Sequence, residues 1–488
     1  MKSTKEKSFE YMKSIEKKDT HCEYDDVFNI PLGILPSTNL RKDKKKKRRR
    51  VLFLFIVFSF FVLGITLFFS RSFLLERIFR DEIEVDDSDV RWRKVDVAKD
   101  ENAYYDLIRL NDVFVISNEE REILEEMFYG SDVDEAIIQD LFLKHKDAIS
   151  LFSQASQKLK YQNPRFFDPQ MVTLSDYDDA SLSIQNLENM TFLLSARSFL
   201  LIRDQKYDQA MEEALKPVRV AQLIEESQCA TAEYLVAKSM KEIGLTVVRK
   251  IFFLAGIVDL DWKGYINEMQ RYYRNEIALI SACKSEYQMQ SLAVDAVFQG
   301  NLGMIPSSVF EKDDSREALS EQVKNSFYFQ PNRTKNSFAQ SARLCIRDIN
   351  TPCGKTNMLN TEQNILRQSA EKFIHGNSIG DLLIKTYPLH ISSLLQKRCE
   401  EDMFVGASHL IGGIKHYFYE KGTLPQALED LVPQYLEEIP SDPFDGQNFR
   451  YNEEKKIVYS VGRDTVDSHG EGIEGDLNSS DMVFSVGW

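Results

Sequence analysis

The pattern of apolar and polar positions divides the chain into three parts. Residues 51–69 form an apolar run without one charged side chain. From residue 71 to about residue 400, apolar residues recur every three to four positions and breakers are sparse, which predicts α-helices. Residues 401–488 instead combine one amphipathic helix with short β-rich segments, which predicts an α+β domain. The expected fold is mainly α, either a helical bundle or a short helical-hairpin array, with this small α+β domain at the C-terminus.

The apolar run predicts a transmembrane helix at residues 51–70. Nineteen helical residues span about 28 Å, close to the thickness of the hydrocarbon core. Nine of the ten residues 41–50 are Lys or Arg, so the positive-inside rule makes residues 1–50 a basic cytoplasmic tail. The length of the tail and of the run favours a signal anchor over a cleaved signal peptide or a buried helix. We expect a single-pass protein of the bacterial inner membrane, with the lipid bilayer around residues 51–69, the N-terminus in the cytoplasm and the C-terminus in the periplasm.

Residues 71–400 are predicted to be an extracytoplasmic α-helical domain. The clearest element is a helical hairpin at residues 196–230, where the polar turn 203–206 separates two helical patterns. Small residues four apart, such as Ala210 and Ala214, let two helices approach closely. The hairpin resembles one tetratricopeptide unit, but no second copy follows at a period of about 34 residues. A generic bundle and a hairpin array therefore both remain open.

Residues 401–488 show a different pattern of apolar and β-rich segments. Apolar residues at helical spacing predict an amphipathic helix that ends near Gly422. A short helix at 427–435 and a Pro-rich loop come next. Three β-rich segments are predicted strands, of which the first two form a hairpin: residues 449–452, 457–461 and 482–486.

Charge limits the class of partner. The formal net charge is −15, and residues 1–50 hold 15 Lys and Arg against 8 Asp and Glu, or +7, which leaves −22 for the rest. An acidic body argues against nucleic acid, because binding phosphates needs clustered cations. Cysteines say less. Cys345 and Cys353 are close enough in sequence to pair in an oxidising compartment, and free buried thiols are an equal alternative.

Three short motifs carry a resemblance to a known family. They are GTLP at 422–425, PSDPFDG at 440–446 and YSVGRD at 459–464. In this order they resemble the C-terminal domain of the major, G-type pseudopilins of type II secretion systems. Together with an anchored helical body, the segments 102–103 and 330–334 also resemble a group of uncharacterised planctomycete-type single-pass membrane proteins. The first resemblance implies a pseudopilin-like fold for residues 401–488.

The same resemblance implies a calcium site in the loop after the second strand. Pseudopilins bind calcium there with Asp side chains and backbone carbonyls, and the matching residues are Asp464 and Asp476. Asp467 and Asp481 are further candidates because they lie in the same acidic, Gly-rich loop. Calcium takes about six to eight hard oxygen ligands at flexible geometry. A solvated acidic loop is the alternative.

No motif in the sequence demands catalysis. His409 and His416 lie seven apart on one helix, which suits core histidines better than a shared metal site. Adjacent pairs such as Glu225 and Glu226 point apart on a helix and are typical of a solvated face. We therefore expect a non-enzymatic envelope protein that binds or scaffolds a protein partner outside the membrane through its helical surface, with a calcium-stabilised, secretion-related C-terminal domain. The alternative is an extracytoplasmic hydrolase whose carboxylates come from separate helices.

Overall fold

The computed structural model describes Phe53, residues 56–66 and most of residues 80–488. Within the last range it leaves out 93–94, 132, 165–181, 256–257, 274–275, 302–322, 326–327, 350–352, 354–375, 387–390, 475–477 and 487–488. The predicted basic tail at residues 1–50 lies outside the described residues. Two compact units are present, one in residues 1–72 and one in residues 73–488.

The prediction of a membrane-spanning helix needs correction. In the described part of the first unit, Phe53 and residues 56–66 are helical. Among all described residues, no helix is long and apolar enough to cross a membrane. The predictions of a transmembrane segment at 51–70 and of a single-pass location in the inner membrane are therefore wrong.

The second unit is mainly helical, as predicted. Its described α-helices, in chain order, are α1 Tyr104–Leu107, α2 Leu110–Val113, α3 Asn118–Phe128, α4 Glu135–Lys144, α5 Lys146–Ala155, α6 Ile184–Arg203, α7 Tyr207–Glu225, α8 Thr231–Leu254, α9 Trp262–Arg271, α10 Glu276–Phe298, α11 Pro331–Asp348, α12 Ser378–Thr386 and α13 Ile391–Lys421. A 3₁₀ turn, Leu428–Leu431, and three strands follow: β1 Arg450–Asn452, β2 Ile457–Ser460 and β3 Met482–Ser485.

The predicted hairpin at 196–230 is formed by α6 and α7, and the turn lies where the sequence places it. Ala210 and Ala214 of α7 are fully buried, in the interface with α8. Gly244 of α8 is needed there, because a Cβ at that position would lie 2.6 Å from Cγ2 of Val218 and 3.0 Å from the Ala214 carbonyl oxygen. Small residues on both sides thus bring α7 and α8 into close contact.

Helix α13 continues across the predicted domain boundary at residues 400 and 401. Its apolar face enters a core shared with α7, α8, α9 and the C-terminal strands, which we call the junction core. This core draws its buried residues from 210–272 and from 399–486. A second core draws its buried residues from 103–283 and from 345–395, and a third involves α10, α11 and α12. Residues 73–488 therefore pack as one unit.

The C-terminal strands form an antiparallel sheet in the order β1-β2-β3. Arg450 pairs with Tyr459 across the hairpin, and Ser460 pairs with Met482. Asp442, in the Pro-rich loop, is fully buried and accepts hydrogen bonds from Ser460 Oγ at 2.9 Å and from the Val461 backbone N at 2.9 Å. This carboxylate fastens the loop to the end of β2, which gives part of the PSDPFDG and YSVGRD motifs a structural role.

Two disulfides join segments that are distant in sequence. Cys283 of α10 pairs with Cys345 of α11, and Cys353 pairs with Cys399 of α13. Cys345 and Cys353 are thus each bonded to another partner and not to one another. The second bond holds the segment at residue 353 against the start of α13.

Candidate functional site

Asp481 is the predicted calcium ligand whose place is best defined. It is fully buried immediately before β3. Its Oδ2 accepts a hydrogen bond from the Gly470 backbone N at 2.7 Å, and its Oδ1 accepts one from the Ser468 backbone N at 3.3 Å. Gly472 passes so close that a Cβ there would lie 2.0 Å from the Asp481 carbonyl oxygen. The carboxylate therefore organises the acidic loop from within.

Asp464 and Asp467 are more exposed than Asp481 and are engaged in local turns. Oδ1 of Asp464 accepts from the Val466 backbone N at 2.9 Å, and Oδ1 of Asp467 accepts from the His469 backbone N at 2.8 Å. Asp476 lies outside the described residues. Within the described residues, no group of three His, Cys, Asp or Glu side chains is placed to hold a metal ion. Calcium binding by this loop stays a prediction.

A cluster of buried charges lies between α7, α8 and α13. Lys241 is 1% exposed and donates hydrogen bonds to Glu225 and to Glu401, the second at 2.8 Å. Tyr234 adds a hydrogen bond from its hydroxyl to Glu401 at 3.3 Å. Glu225 was expected on a solvated face, but its side chain is only 1% exposed. The helical pattern places it correctly on α7, and only the arrival of α8 and α13 buries it.

One lysine cannot neutralise two buried carboxylates. Burial and the charge of Glu401 raise the pKa of Glu225 well above its ordinary value. Burial acts to raise the pKa of Glu401, but the charge of Lys241 and the hydrogen bonds to Glu401 outweigh burial and lower the pKa. The opposite directions of these shifts predict that Glu225 holds the proton of the pair and that Glu401 forms the ion pair with Lys241 in a low-dielectric interior. Both side chains are nearly inaccessible to solvent.

A second charged network joins α13 to the acidic loop. Glu400 accepts hydrogen bonds from Lys238 of α8 at 3.1 Å, from Lys397 at 3.0 Å and from Arg463 at 2.6 Å. Arg463 belongs to the YSVGRD motif, so this ion pair attaches the start of the loop to the helical body. The three cations lower the pKa of Glu400 against the opposing effect of burial.

A cavity of about 820 Å³ opens beside these networks, between α3, α8, α13 and β3. We call it the junction cleft. Aromatic side chains from each of these four elements form much of its wall: Phe128, Phe253, Phe404 and Phe484. Its volume falls in the range of about 300–1,000 Å³ that is typical of ligand sites. A wall that combines apolar side chains with a few polar groups is also typical of such sites.

Arg249 of α8 is the central polar group of the junction cleft. Its Nη1 donates to Ser408 Oγ at 2.9 Å, and its Nη2 donates to Thr246 Oγ1 at 2.8 Å. The guanidinium carbon lies 5.3 Å from the ring centroid of Phe404 and 5.2 Å from that of Phe484. Burial lowers the pKa of Arg249 to about 10. It remains charged at neutral pH, and its polar partners in these bonds are hydroxyl groups without charge.

The other charges of the cleft have partners of their own. Glu242 pairs with Lys238 at 2.9 Å, and Glu474 accepts a hydrogen bond from the Ser485 backbone N at 3.3 Å. Lys250 lies over the Phe199 ring at 4.7 Å. Arg249 differs from them, because no carboxylate of a described residue forms an ion pair with it.

His409 and His416 were predicted to be core histidines, and both pack against aromatic rings. The Tyr273 hydroxyl is 3.1 Å from Nδ1 of His409, and burial lowers the pKa of His409 to about 4. The ring of His416 stacks on that of Trp262, with centroids 6.3 Å apart.

No pattern in the sequence indicates the junction cleft. Arg249 and Lys250 are adjacent, a pattern that usually marks a solvated helix face, and Phe404 and Phe484 are indistinguishable from other core aromatics by spacing. Comparison with family models, curated proteins and solved structures finds no significant match.

Proposed function

We propose that this chain is a non-enzymatic protein-binding protein, and that the junction cleft receives a peptide segment of its partner. The observation that carries the proposal is the cleft itself, a cavity of about 820 Å³ whose wall holds five aromatic rings and a half-buried arginine. Aromatic residues and Arg dominate the energetics of protein interfaces because they combine large contact area with directed hydrogen bonds.

The walls of the cleft suit a recognition role because they are held rigidly. Phe404 comes from the long helix α13 and Phe484 from β3, and both side chains are nearly fully buried in the junction core. Tyr129, at the end of α3, is 78% exposed at the rim. A preformed wall loses little conformational entropy when a segment binds.

The C-terminal part, in this proposal, is a pseudopilin-like domain that closes one side of the cleft and is stabilised by calcium in its acidic loop. The motifs at 422–425, 440–446 and 459–464 support the likeness. The helix-loop-sheet order of α13 and β1–β3 is compatible with it. A secretion-related role rests on that resemblance alone.

The alternative of a hydrolase finds one point of support. Glu225 and Glu401 come from separate helices and differ in protonation, as a general acid and a nucleophile do. Their side chains are only 1% and 2% exposed, however, and neither lines the junction cleft. A buried pair without access for a substrate favours a structural role.

The proposal is tested by selecting random 12-residue peptides against the folded full chain and mapping the best binder by methyl NMR. We expect shifts at Ile243 and Ile411, which line the cleft, and none at Ile379 of the third core. Tyr129→Ala should weaken binding by about tenfold or more. Tyr419→Ala, at another exposed tyrosine, is the matched control and should bind as the wild type does. Peptides that bind without moving Ile243 and Ile411, or failure to select any binder, would refute the proposal.

A further inference from the structure

Arg249 retains unused hydrogen-bonding capacity that faces the junction cleft. A guanidinium has five N–H groups, and Ser408 and Thr246 accept from two of its nitrogens. The two hydroxyls in turn donate to the carbonyl oxygens of Phe404, at 2.7 Å, and Glu242, at 2.8 Å. Their single protons are thus used within their own helices, so each presents only lone pairs to Arg249. The arginine is held in a fixed plane with further donors to spare.

The guanidinium of Arg249 forms no ion pair with a carboxylate of a described residue, although Glu242 and Glu474 line the same cleft. Burial lowers the pKa of Arg249 despite the attraction of these two carboxylates, and its contacts with Phe404 and Phe484 offset only part of the lost hydration. An anion that binds the guanidinium directly would therefore stabilise it. A planar guanidinium matches a carboxylate in a two-pronged geometry, which combines charge with direction. The rest of the wall combines aromatic and aliphatic side chains with a few polar and charged groups.

From this geometry we infer that the junction cleft recognises the free C-terminal carboxylate of a partner chain that ends in an apolar residue, with Arg249 as the carboxylate-binding residue. The inference rests on the proposed function and specifies its ligand. A C-terminal residue carries its carboxylate and its side chain on one Cα, so a single residue satisfies both the arginine and the aromatic wall.

An acidic side chain in the middle of a segment fits less well. Such a segment brings backbone amide groups from both directions into the cleft, and each amide buried against a phenyl ring without a partner costs roughly 1–3 kcal/mol. A chain end brings backbone from one direction only. The smaller number of buried backbone amide groups also applies to other sites that bind terminal carboxylates.

The test uses small probes on the full chain: N-acetyl-L-phenylalanine, its C-terminal amide, and an N-acetylated, C-amidated Phe-Glu-Phe tripeptide. Titration followed at the Ile243 and Ile411 methyl groups gives the affinities. We expect the free carboxylate to bind about tenfold or more tightly than the amide, which matches the strength of a charge-assisted hydrogen-bond pair. The internal glutamate should bind no better than the amide.

Variants identify the responsible cation. Arg249→Gln should abolish the preference for carboxylate over amide, and Arg249→Lys should restore only part of it because the two-pronged geometry is lost. Arg347→Gln, on α11 and outside the cleft lining, is the matched control and should keep the preference. If Arg249→Gln does not fold, the wild-type comparison of acid and amide still decides the matter.

Three outcomes would overturn the inference: equal binding of acid and amide, a preference that survives Arg249→Gln, or tighter binding of the internal glutamate. Inorganic phosphate that displaces N-acetyl-L-phenylalanine at equal concentration would also overturn it, because the site would then be a general anion site. Each of these results leaves peptide binding in the cleft intact, so the inference can fail while the proposed function stands.

Discussion

The guanidinium of Arg249 on α8 lies 5.2 Å from the ring centroid of Phe484 on β3. This contact ties the helical body to the last strand of the sheet. Its energy is measurable by a double-mutant cycle with Arg249→Met and Phe484→Leu. We expect a coupling energy of about 1 kcal/mol in the free energy of unfolding, as for other desolvated cation–aromatic pairs.

Lys250→Met with Phe484→Leu is the control cycle. Lys250 packs over the rings of Phe128 and Phe199, so its effect should add to that of Phe484→Leu within about 0.5 kcal/mol. Additive behaviour in the Arg249 cycle as well would mean that Arg249 and Phe484 are neighbours without a specific interaction.

The cluster of buried charges formed by Lys241, Glu225 and Glu401 predicts different effects on stability for two substitutions of similar size. Lys241→Met leaves Glu401 ionised without its counter-charge and should destabilise the protein by about 3–5 kcal/mol. Glu225→Gln should change the free energy of unfolding at pH 7 by less than about 1 kcal/mol or increase it, because the raised pKa of Glu225 predicts a protonated carboxyl group and Gln has its shape. Urea unfolding of both variants checks this. A large loss of stability in Glu225→Gln would mean that this carboxylate, and not Glu401, carries the charge.

Glu233 predicts a pH dependence of stability. Burial raises its pKa from 4.5 to about 7, against hydrogen bonds from Tyr161 and from the Ala230 backbone N. Because the folded state holds the proton more tightly, this group stabilises the fold fully below pH 4.5, and that contribution is lost as the pH rises to about 7. The total is on the order of 3 kcal/mol.

Glu233→Gln removes the titration. The difference in unfolding free energy between Glu233→Gln and the wild type should therefore shift in favour of the variant between pH 4.5 and pH 7. Glu242→Gln, on the same helix, provides the comparison for a paired and partly exposed glutamate. A difference that stays constant with pH in Glu233→Gln would contradict the raised pKa.

Substitutions of Asp481 and Asp464 distinguish the structural role of the acidic loop from calcium binding. Both oxygens of the Asp481 carboxylate accept backbone hydrogen bonds, so Asp481→Ala should destabilise the protein by about 1–3 kcal/mol even in chelator. Asp464→Ala should leave the melting temperature in chelator nearly unchanged and should abolish any stabilisation by millimolar calcium. Wild-type protein that melts at the same temperature with and without calcium would reduce the loop to a solvated acidic segment.

The disulfides are directly testable by peptide mapping. Digestion of unreduced protein should yield one linked peptide pair containing Cys283 and Cys345 and another containing Cys353 and Cys399. Loss of the first bond, which closes a loop of 62 residues, should cost about 4 kcal/mol in the chain-entropy description. A peptide linking Cys345 to Cys353 would contradict the pairing.

Local features of the fold could be predicted from the sequence, and features built by distant contacts could not. The turn between α6 and α7 was placed correctly because a short polar run between two helical patterns contains all the information needed. Glu225 was misjudged because its burial depends on Lys241 and on Glu401, the second of which lies on α13. Arg249 was missed for the same reason, since its partner Ser408 is 159 residues away.

The junction core is built from two parts of the chain that are distant in sequence, and this has a consequence for synthesis of the chain on the ribosome. Helices α7 to α9 can pack on one another as they emerge, yet the part of the junction core that α13 and the strands supply begins only at residue 399. At roughly 5–20 residues per second, the ribosome needs about 6–25 s to bridge that interval. During this time, the apolar surface that α13 and the strands later cover lacks its native partner. Termination of translation near residue 390 would make the exposure permanent, and the truncated product would be a substrate for chaperones and proteases instead of a smaller folded protein.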